Sequence, residues 1–142
     1  MTIASIIAER EGGIISCTAE HSVLQAASLL AEKRIGALPV LDGETVVGIF
    51  SERDLLYSVA REGAGVLDKA VGNVMTSPAI TIDLETDVLE ALSLMTRRRI
   101  RHLPVMAGQR MVGFVSIGDM VKQRMSQIET EADQMRDYIT NA

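Results

Sequence analysis

The chain of 142 residues is poor in cysteine and in aromatic residues, and it has no tryptophan. Its single cysteine, Cys17, excludes an intramolecular disulfide and any metal site built from several cysteines. Aromatic residues make up 3% of the chain, which argues against nucleic-acid binding by stacking bases on aromatic side chains. Apolar runs are far shorter than a membrane span, and the N-terminal residues lack the regions of a signal peptide. We therefore expect a cytoplasmic protein that makes no contact with a membrane.

The composition is otherwise that of a folded protein with a sizeable core. Hydrophobic residues make up 47% of the chain, so extensive disorder is excluded. The formal net charge of −5 gives no overall attraction to nucleic acid or to anionic lipid. One basic run, from Arg97 to His102, interrupts the acidic background and leaves nucleic-acid binding open as a minor alternative.

The chain contains an internal repeat. Residues 22–59 align without a gap with residues 87–124 at a constant offset of 65, and 15 of the 38 aligned positions are identical. A gapless match of this length indicates two copies of one supersecondary unit. We expect the first copy, with an N-terminal helix, to span residues 1–66 and the second to span residues 67–142.

Each copy predicts the order β-α-β-β-α, in an α/β (α+β) fold. A first helix begins at Ser22 and at Asp87, where Ser-x-x-Gln and Asp-x-x-Glu resemble capping boxes. Its apolar residues follow helical spacing, and it ends near Arg34 or Arg99. Short apolar strands complete each unit, at residues 13–17, 38–41 and 46–50 in the first copy and 78–82, 103–106 and 111–115 in the second. Three short strands cannot cover both faces of a sheet alone, so the two copies are expected to pack together.

A long helix is predicted from about Ile117 to Ile139. Apolar residues recur there with the alternating spacing of a coiled-coil seam, at Val121, Met125, Ile128, Ala132, Met135 and Ile139. Two interpretations stay open: the helix lies on its own domain, or it makes dimer contacts.

One motif, Gly-h-h-Ser-x-x-Asp (h, hydrophobic), occurs in both copies where a strand enters a helix. It reads Gly48 to Asp54 in the first copy and Gly113 to Asp119 in the second. Backbone N–H groups at a helix start favour an anion, and an ionised carboxylate accepts both hydroxyls of a ribose. The glycine is expected to let a ligand approach the backbone closely. The alternative is purely structural, because Ser-x-x-Asp also caps a helix.

The repeated pattern resembles the tandem CBS (cystathionine β-synthase) domain pair, or Bateman module. The most specific segments are IGALPVLDGETVVGIFSERDLL and IRHLPVMAGQRMVGFVSIGDMV. The resemblance implies two units packed through their sheets with pseudo-two-fold symmetry, with clefts between them for adenosine-containing ligands such as AMP, ADP, ATP, NAD(H) or S-adenosylmethionine. It also implies a non-enzymatic regulatory module that forms a homodimer and acts on an unknown partner protein.

The resemblance assigns roles to individual residues. Asp54 and Asp119 would hold the ribose, and Ser51 and Ser116 would contact ribose or phosphate. Arg101 and His102, just before the LPV strand of the second copy, would contact phosphate. The adenine environment would be formed by Ile15, Ser16, Ile49, Ile80, Thr81 and Phe114.

The two sites are expected to differ. The positions equivalent to Arg101 and His102 are Gly36 and Ala37, which carry no charge. Arg53, where the second copy has Gly118, is expected to supply the phosphate charge that the first copy otherwise lacks. Arg97 and Arg98 have a competing interpretation as a solvated helix end. No metal-ligand cluster or catalytic triad is indicated, and the alternative function is a ligand-independent structural or protein-interaction module.

Overall fold

The computed structural model describes residues 1–9 and 13–141. The bounds of its elements follow in chain order: α1 (Ile3–Ala8), α2 (Val23–Lys33), β1 (Ala37–Asp42), β2 (Thr45–Ser51), α3 (Glu52–Glu62), β3 (Ile82–Asp83), α4 (Val88–Arg98), β4 (His102–Ala107), β5 (Arg110–Ser116) and α5 (Ile117–Asn141). Two short 3₁₀ helices, Ala64–Asp68 and Val71–Asn73, connect α3 to the second unit. This is the mixed α/β fold that the repeat predicts.

Each unit is built on an antiparallel hairpin, β1–β2 in the first and β4–β5 in the second. In the second unit β3 adds a parallel strand beside β4. In the first unit Cys17 forms a single parallel bridge to Val40, and Thr76 forms an antiparallel bridge to Ile49 on the other side of the hairpin. The segment that leaves Thr76 therefore passes from the edge of one sheet to the edge of the other.

The first strand of each unit is much shorter than predicted. Only Cys17 pairs in place of the predicted strand 13–17, and only Ile82 pairs within the predicted strand 78–82. The reason is the proline of the LPV strand. Extending the Cys17 bridge backwards by two residues would need a backbone N–H group at Pro39, which proline lacks. In the second unit Pro104 stands at the equivalent position and lacks the N–H group in the same way.

Helix caps follow the sequence closely, with one exception. At α2 the Ser22 hydroxyl accepts from the Gln25 N–H and the Gln25 side chain accepts from the Ser22 N–H, which is the predicted capping box. At α4 the Asp87 carboxylate instead accepts from the Leu89 N–H at 2.8 Å, and Glu90 does not complete a box. A carboxylate so close to the helix start satisfies a free N–H group without a partner side chain.

Each hydrophobic core includes a segment that lies next to the other repeat along the chain. Fully buried Ile3 of α1 packs with Val88 and Leu103 of the second unit, while Val71 of the 3₁₀ connector packs with Val23 of the first. The expected division at residue 66 follows sequence order and assigns α1 to the first copy, whereas its contacts belong to the second. Burial of an isoleucine side chain contributes roughly 1.5–3 kcal/mol, so this contact ties the start of the chain to the distant repeat.

The C-terminal helix α5 runs from Ile117 to Asn141. Met120 near its start is fully buried, but every residue from 128 to 141 is exposed. The first turns of α5 therefore lie on its own domain, as one of the two interpretations predicts, but the rest of the helix does not. Among residues 1–9 and 13–141, no helix is both long enough and apolar enough to cross a membrane.

Candidate ligand-binding clefts

The first cleft, the Asp54 cleft, opens at the start of α3 and has a volume of about 420 Å³. Its lining comes from both units. The first contributes the end of β2 and the start of α3, and the second contributes the segments that precede β3 and β4. The lining residues are Gly36, Ile49, Ser51, Glu52, Arg53, Asp54, Leu56, Tyr57, Thr76, Pro78, Ala79, Ile80, Arg99, Ile100, Arg101 and His102.

The second cleft, the Asp119 cleft, opens at the start of α5 and has a volume of about 480 Å³. Its lining residues are Ile7, Gly13, Ile14, Ile15, Arg34, Ile35, Gly36, Ala37, His102, Val112, Gly113, Phe114, Ser116 and Asp119. The two linings correspond through the offset of 65. Ser51, Asp54 and Ile80 of the first cleft are the counterparts of Ser116, Asp119 and Ile15 of the second. The clefts are thus related by the pseudo-two-fold relation of the repeats.

Both Ser-x-x-Asp motifs cap their helices. Asp54 Oδ2 accepts from the Ser51 N–H at 2.9 Å, and Ser51 Oγ accepts from the Asp54 N–H at 3.2 Å. The second motif repeats this geometry, with 2.8 Å from the Ser116 N–H to Asp119 Oδ2 and 3.2 Å from the Asp119 N–H to Ser116 Oγ. The structural interpretation of the motif is therefore present in both copies, and any binding role is added to it.

Thr76 makes a further contact to the Asp54 carboxylate. Its hydroxyl donates to Asp54 Oδ1 at 2.8 Å, while the Ser51 hydroxyl donates to Asp54 Oδ2 at 3.0 Å. Thr76 is held there by two backbone hydrogen bonds with Ile49, each 2.9 Å long. Because Thr76 also lines the cleft, a hydroxyl of a ligand that replaced the Thr76 hydroxyl would meet the same carboxylate oxygen.

Charge separates the two clefts. Three arginines, Arg53, Arg99 and Arg101, and two acidic residues, Glu52 and Asp54, line the Asp54 cleft. Among the described residues that line the Asp119 cleft, Arg34 is matched by one carboxylate, that of Asp119. Guanidinium groups bind phosphate through paired hydrogen bonds, so the Asp54 cleft is the better site for a phosphorylated ligand.

His102 lies between the clefts and lines both. Its ring stacks on Phe114, with centroids 5.5 Å apart and planes inclined by 14°. Burial lowers the pKa of His102, and the carboxylates of Asp119 and Glu52 oppose that shift in part. The ring is therefore neutral at neutral pH, with one nitrogen available to donate and one to accept a hydrogen bond.

Comparison with known proteins identifies the fold. The family model for the CBS domain matches residues 11–61 and again residues 71–126, which together cover most of the chain. The chain belongs to the CBS-domain family. The two matches coincide with the two repeat units, so this protein carries a CBS pair.

Individual relatives agree with this assignment. A mitochondrial CBS domain-containing protein from Arabidopsis thaliana is 35% identical over 134 residues, covering 91% of this chain and 65% of the relative. The chain thus spans about two thirds of that protein's length. A CBS-domain containing protein from Agrobacterium tumefaciens matches with a TM-score of 0.83 and 33% identity, covering 87% of this chain and 99% of the other. A CBS domain protein from Pyrobaculum aerophilum, solved with AMP, matches with a TM-score of 0.74 and 26% identity over 84% of this chain and 89% of the other.

The CBS pair combines the predicted site residues differently from the sequence expectation. Arg53 and Arg101 lie in the same cleft, so Arg53 adds to the charge of Arg101 instead of replacing it in a separate site. The sequence leaves open which cleft Arg101 and His102 serve. In the structure each cleft takes its carboxylate from one copy and its pre-strand segment from the other. Arg97 and Arg98 lie outside the Asp54 cleft, exposed in the last turn of α4.

Some of the residues predicted to surround the adenine line the two clefts, and others lie outside them. Ile49 and Ile80 line the Asp54 cleft, while Ile15 and Phe114 line the Asp119 cleft. Thr81 instead borders a separate surface depression beside Ile82, and Ser16 lies outside the described lining of both clefts. Neighbouring side chains of an extended segment point to opposite sides, so Thr81 turns away when Ile80 faces the cleft.

The motif glycines have a packing role that differs from the prediction. A Cβ atom on Gly48 would lie 2.7 Å from Met75 Sδ and 2.8 Å from the Thr76 carbonyl oxygen. A Cβ atom on Gly113 would collide with the side chain of Ile7. The close approach is thus made by the protein's own chain, by the backbone of Thr76 at Gly48 and by the end of the Ile7 side chain at Gly113.

Two arginines in the clefts were not predicted as site residues. Arg34 and Arg99 end α2 and α4 in the left-handed conformation, with φ of 55° and 56°. This conformation costs a non-glycine residue roughly 1–2 kcal/mol, and glycine usually occupies it. The signal was available in the sequence, because the same arginine stands in both copies where a helix end favours glycine.

Metal and thiol chemistry receive no support from the part of the chain that the structure describes. No group of three or more His, Cys, Asp or Glu residues in that part is arranged to hold a metal ion. Burial raises the pKa of the Cys17 thiol to about 11, which leaves it protonated at neutral pH. Cys17 serves as a small core residue beside Val40.

Proposed function

We propose that this CBS pair is a regulatory, non-enzymatic module that binds adenine nucleotides in the clefts between its two units. The observation that carries the proposal is the composition of the Asp54 cleft. A carboxylate, three guanidinium groups and an aliphatic wall surround a volume of about 420 Å³. Pockets of a few hundred cubic ångströms hold small-molecule ligands, and these three features suit ribose, phosphate and base respectively.

The proposed binding mode uses the contacts already present. A ribose hydroxyl takes the place of the Thr76 hydroxyl at Asp54 Oδ1, while Oδ2 continues to accept from Ser51. The phosphate lies against Arg101, with Arg53 and His102 nearby, and the base lies against Ile49 and Ile80. AMP, ADP, ATP and NAD(H) share these recognition elements. The AMP complex of the Pyrobaculum aerophilum protein supports this ligand class.

The proposed mechanism is a shift between packings of the two units. Each cleft is lined by both units, so a ligand binds best when the units are docked in the matching arrangement. We propose a homodimer in the cytoplasm as the working form. Exposed Leu24 and Leu89, at equivalent positions of α2 and α4, support it as available apolar surface. The regulated partner would respond to the altered dimer.

A second function has one specific observation in its favour. Both motif aspartates already complete helix caps, so their presence is explained without a ligand. In this alternative the CBS pair is a structural or protein-interaction module that works without a nucleotide. The two proposals differ in what a nucleotide does to stability.

Thermal unfolding with AMP, ATP and NAD separates the two functions. A ligand that binds the folded state raises the melting temperature by mass action. We expect a rise with at least one of the three, and a much smaller rise in an Asp54→Asn/Asp119→Asn variant. Asparagine keeps an oxygen for the cap N–H but lacks the charge that accepts both ribose hydroxyls. An unchanged melting temperature with every nucleotide would leave the interaction module as the function.

A further inference from the structure

The seam of α5 is exposed along its whole length. The exposed fractions are 44% for Val121, 56% for Met125, 50% for Ile128, 62% for Met135 and 68% for Ile139. At 100° per residue these side chains share one face of the helix, centred about 100° around its axis from buried Met120. A second helix can therefore reach the seam without meeting the body of its own chain.

The exposed part of α5 also gains little stabilisation from the rest of its own chain. The 14 residues from 128 to 141 extend for about 21 Å at 1.5 Å per residue, and all of them are exposed. An isolated helix of this length is marginal in water, and most helices in proteins are stabilised by packing of an apolar face. The observed helix calls for a partner on the seam.

Charges beside the seam select the partner and its direction. With Met125, Ala132 and Ile139 at heptad position a, the flanking g positions include Arg124 and Glu131. The flanking e positions include Glu129 and Arg136. In a parallel pair of identical helices, each g residue faces the e residue five positions later on the other helix. Arg124 then faces Glu129 and Glu131 faces Arg136, so every such pair is attractive.

The antiparallel arrangement is worse. Full overlap of two antiparallel seams pairs position 125 with position 135, and it places Glu129 against Glu129 and Glu131 against Glu131. It also brings Lys122 close to Arg136. Antiparallel registers that avoid these repulsions shorten the overlap of the seam. Of these arrangements, the parallel, in-register pair alone buries the whole seam and also places opposite charges against each other.

We propose that α5 forms a parallel, in-register, two-stranded coiled coil with α5 of a second copy of this chain. Fewer than three heptads, with Ala132 and two methionines in the seam, make this a weak coil that relies on the attached CBS pairs for alignment. Because α5 begins at the Ser116–Asp119 cap, the coil starts at the edge of the Asp119 cleft. The proposal stands independently of nucleotide binding.

Cysteine crosslinking of the full chain tests the direction. In a parallel pair Met125→Cys faces its own copy, as does Met135→Cys, so each variant alone should form a disulfide-linked dimer on mild oxidation. Thr130→Cys, at the outer f position, is the matched control and should stay uncrosslinked. Buried Cys17, whose thiol pKa is raised to about 11, does not compete. Crosslinking only in a mixture of the Met125→Cys and Met135→Cys proteins would indicate antiparallel helices and overturn the proposal, as would no crosslinking at all.

Charge reversal tests the pairing. Arg124→Glu with Arg136→Glu makes every g–e pair repulsive, and we expect the dimer Kd from sedimentation to rise about tenfold or more. Adding Glu129→Arg and Glu131→Arg restores attraction and should restore the Kd. An unchanged Kd in the double variant, or no recovery in the quadruple variant, would refute the pairing. AMP titration of the same variants reports the clefts separately, so a failure of nucleotide binding is distinguishable from a failure of the coil.

Discussion

The two clefts of this CBS pair are equivalent in topology and unequal in chemistry. Each takes a Ser-x-x-Asp cap from one unit and a pre-strand segment from the other. The Asp54 cleft gathers Arg53, Arg99 and Arg101, while Arg34 is the one arginine among the described residues that line the Asp119 cleft. The two copies therefore share the carboxylate and the cap, whereas the described arginines are concentrated in the Asp54 cleft.

In the proposed binding mode a helix cap would also serve as a binding group. Asp54 Oδ2 is committed to the backbone of Ser51, whereas Oδ1 is held by a side-chain hydroxyl that a ligand can replace. The cap fixes the carboxylate in place before a ligand arrives. Such preorganisation lowers the cost of binding.

The largest expected effect is at the ribose anchor of the Asp54 cleft. Asp54→Asn should weaken AMP binding there by about tenfold to a hundredfold, because a hydrogen bond to a charged group contributes about 1.5–3 kcal/mol. The melting temperature without ligand should stay close to wild type, since asparagine still accepts from the Ser51 N–H. Calorimetry and thermal unfolding measure the two quantities.

Asp119→Asn is the matched control for this substitution. It removes the equivalent charge from the other cleft and should leave AMP binding at the Asp54 cleft unchanged. If both variants weakened the tighter site alike, the clefts would have to be treated as one coupled site.

The next largest effect concerns the phosphate. Arg101→Gln should weaken AMP binding at the Asp54 cleft about tenfold through loss of a charge-assisted hydrogen bond. Adenosine, which has no phosphate, should bind it as well as it binds wild type. Arg98→Gln, an exposed arginine of the same basic run outside the cleft lining, is the control and should have no effect. An equal loss of adenosine and AMP affinity would argue against a phosphate contact.

Substitution of Thr76 should have a smaller effect on AMP affinity, and it should strengthen binding instead of weakening it. Thr76→Val removes the hydroxyl that occupies Asp54 Oδ1 and keeps the shape of the side chain. The lost hydrogen bond is to a carboxylate, but water takes the place of the hydroxyl in the variant and offsets most of the loss, so we expect AMP to bind roughly 2- to 10-fold more tightly. Thr45→Val, on the exposed end of β2, is the control. Weaker binding of AMP to Thr76→Val would mean that the hydroxyl itself contacts the ligand.

The smallest effect is on the pH dependence of stability. Burial lowers the pKa of His102 below its ordinary value of 6.5. The unfolded chain therefore takes up a proton before the folded chain does. The contribution of neutral His102 to the free energy of unfolding is complete above pH 6.5. It declines as the pH falls through 6.5 toward the pKa of His102 in the folded chain. His102→Gln should show a smaller loss of stability between pH 7 and pH 5 in urea unfolding. An identical loss of stability in the variant would show that burial of His102 does not contribute to the pH dependence.

Much of the local structure could be predicted from the sequence. The offset of 65 and the helical spacing locate the helices, the hairpins and the caps at Ser22, Ser51 and Ser116, because these features depend on neighbouring residues. The shortening of the first strands could also have been derived, since Pro39 and Pro104 lack the N–H group that a longer ladder needs.

The composition of the clefts could not be derived in the same way. Arg101 and Asp54 line the same cleft, and α1 packs in the second core, because of contacts between segments that are far apart along the chain. Nothing in the local pattern around Thr76 indicates its hydrogen bond to Asp54. The glycine at position 48 was assigned to ligand approach because a sequence pattern does not show that Met75 crosses there.

The most direct test compares AMP with adenosine by calorimetry in each cleft separately. Asp119→Asn leaves the Asp54 cleft intact, and Asp54→Asn leaves the Asp119 cleft intact. If charge divides the clefts, the Asp54 cleft should prefer AMP over adenosine by about tenfold or more, as paired guanidinium contacts to phosphate predict. The Asp119 cleft should bind the two with similar affinity. The same preference in both clefts, or a stronger one in the Asp119 cleft, would contradict the division.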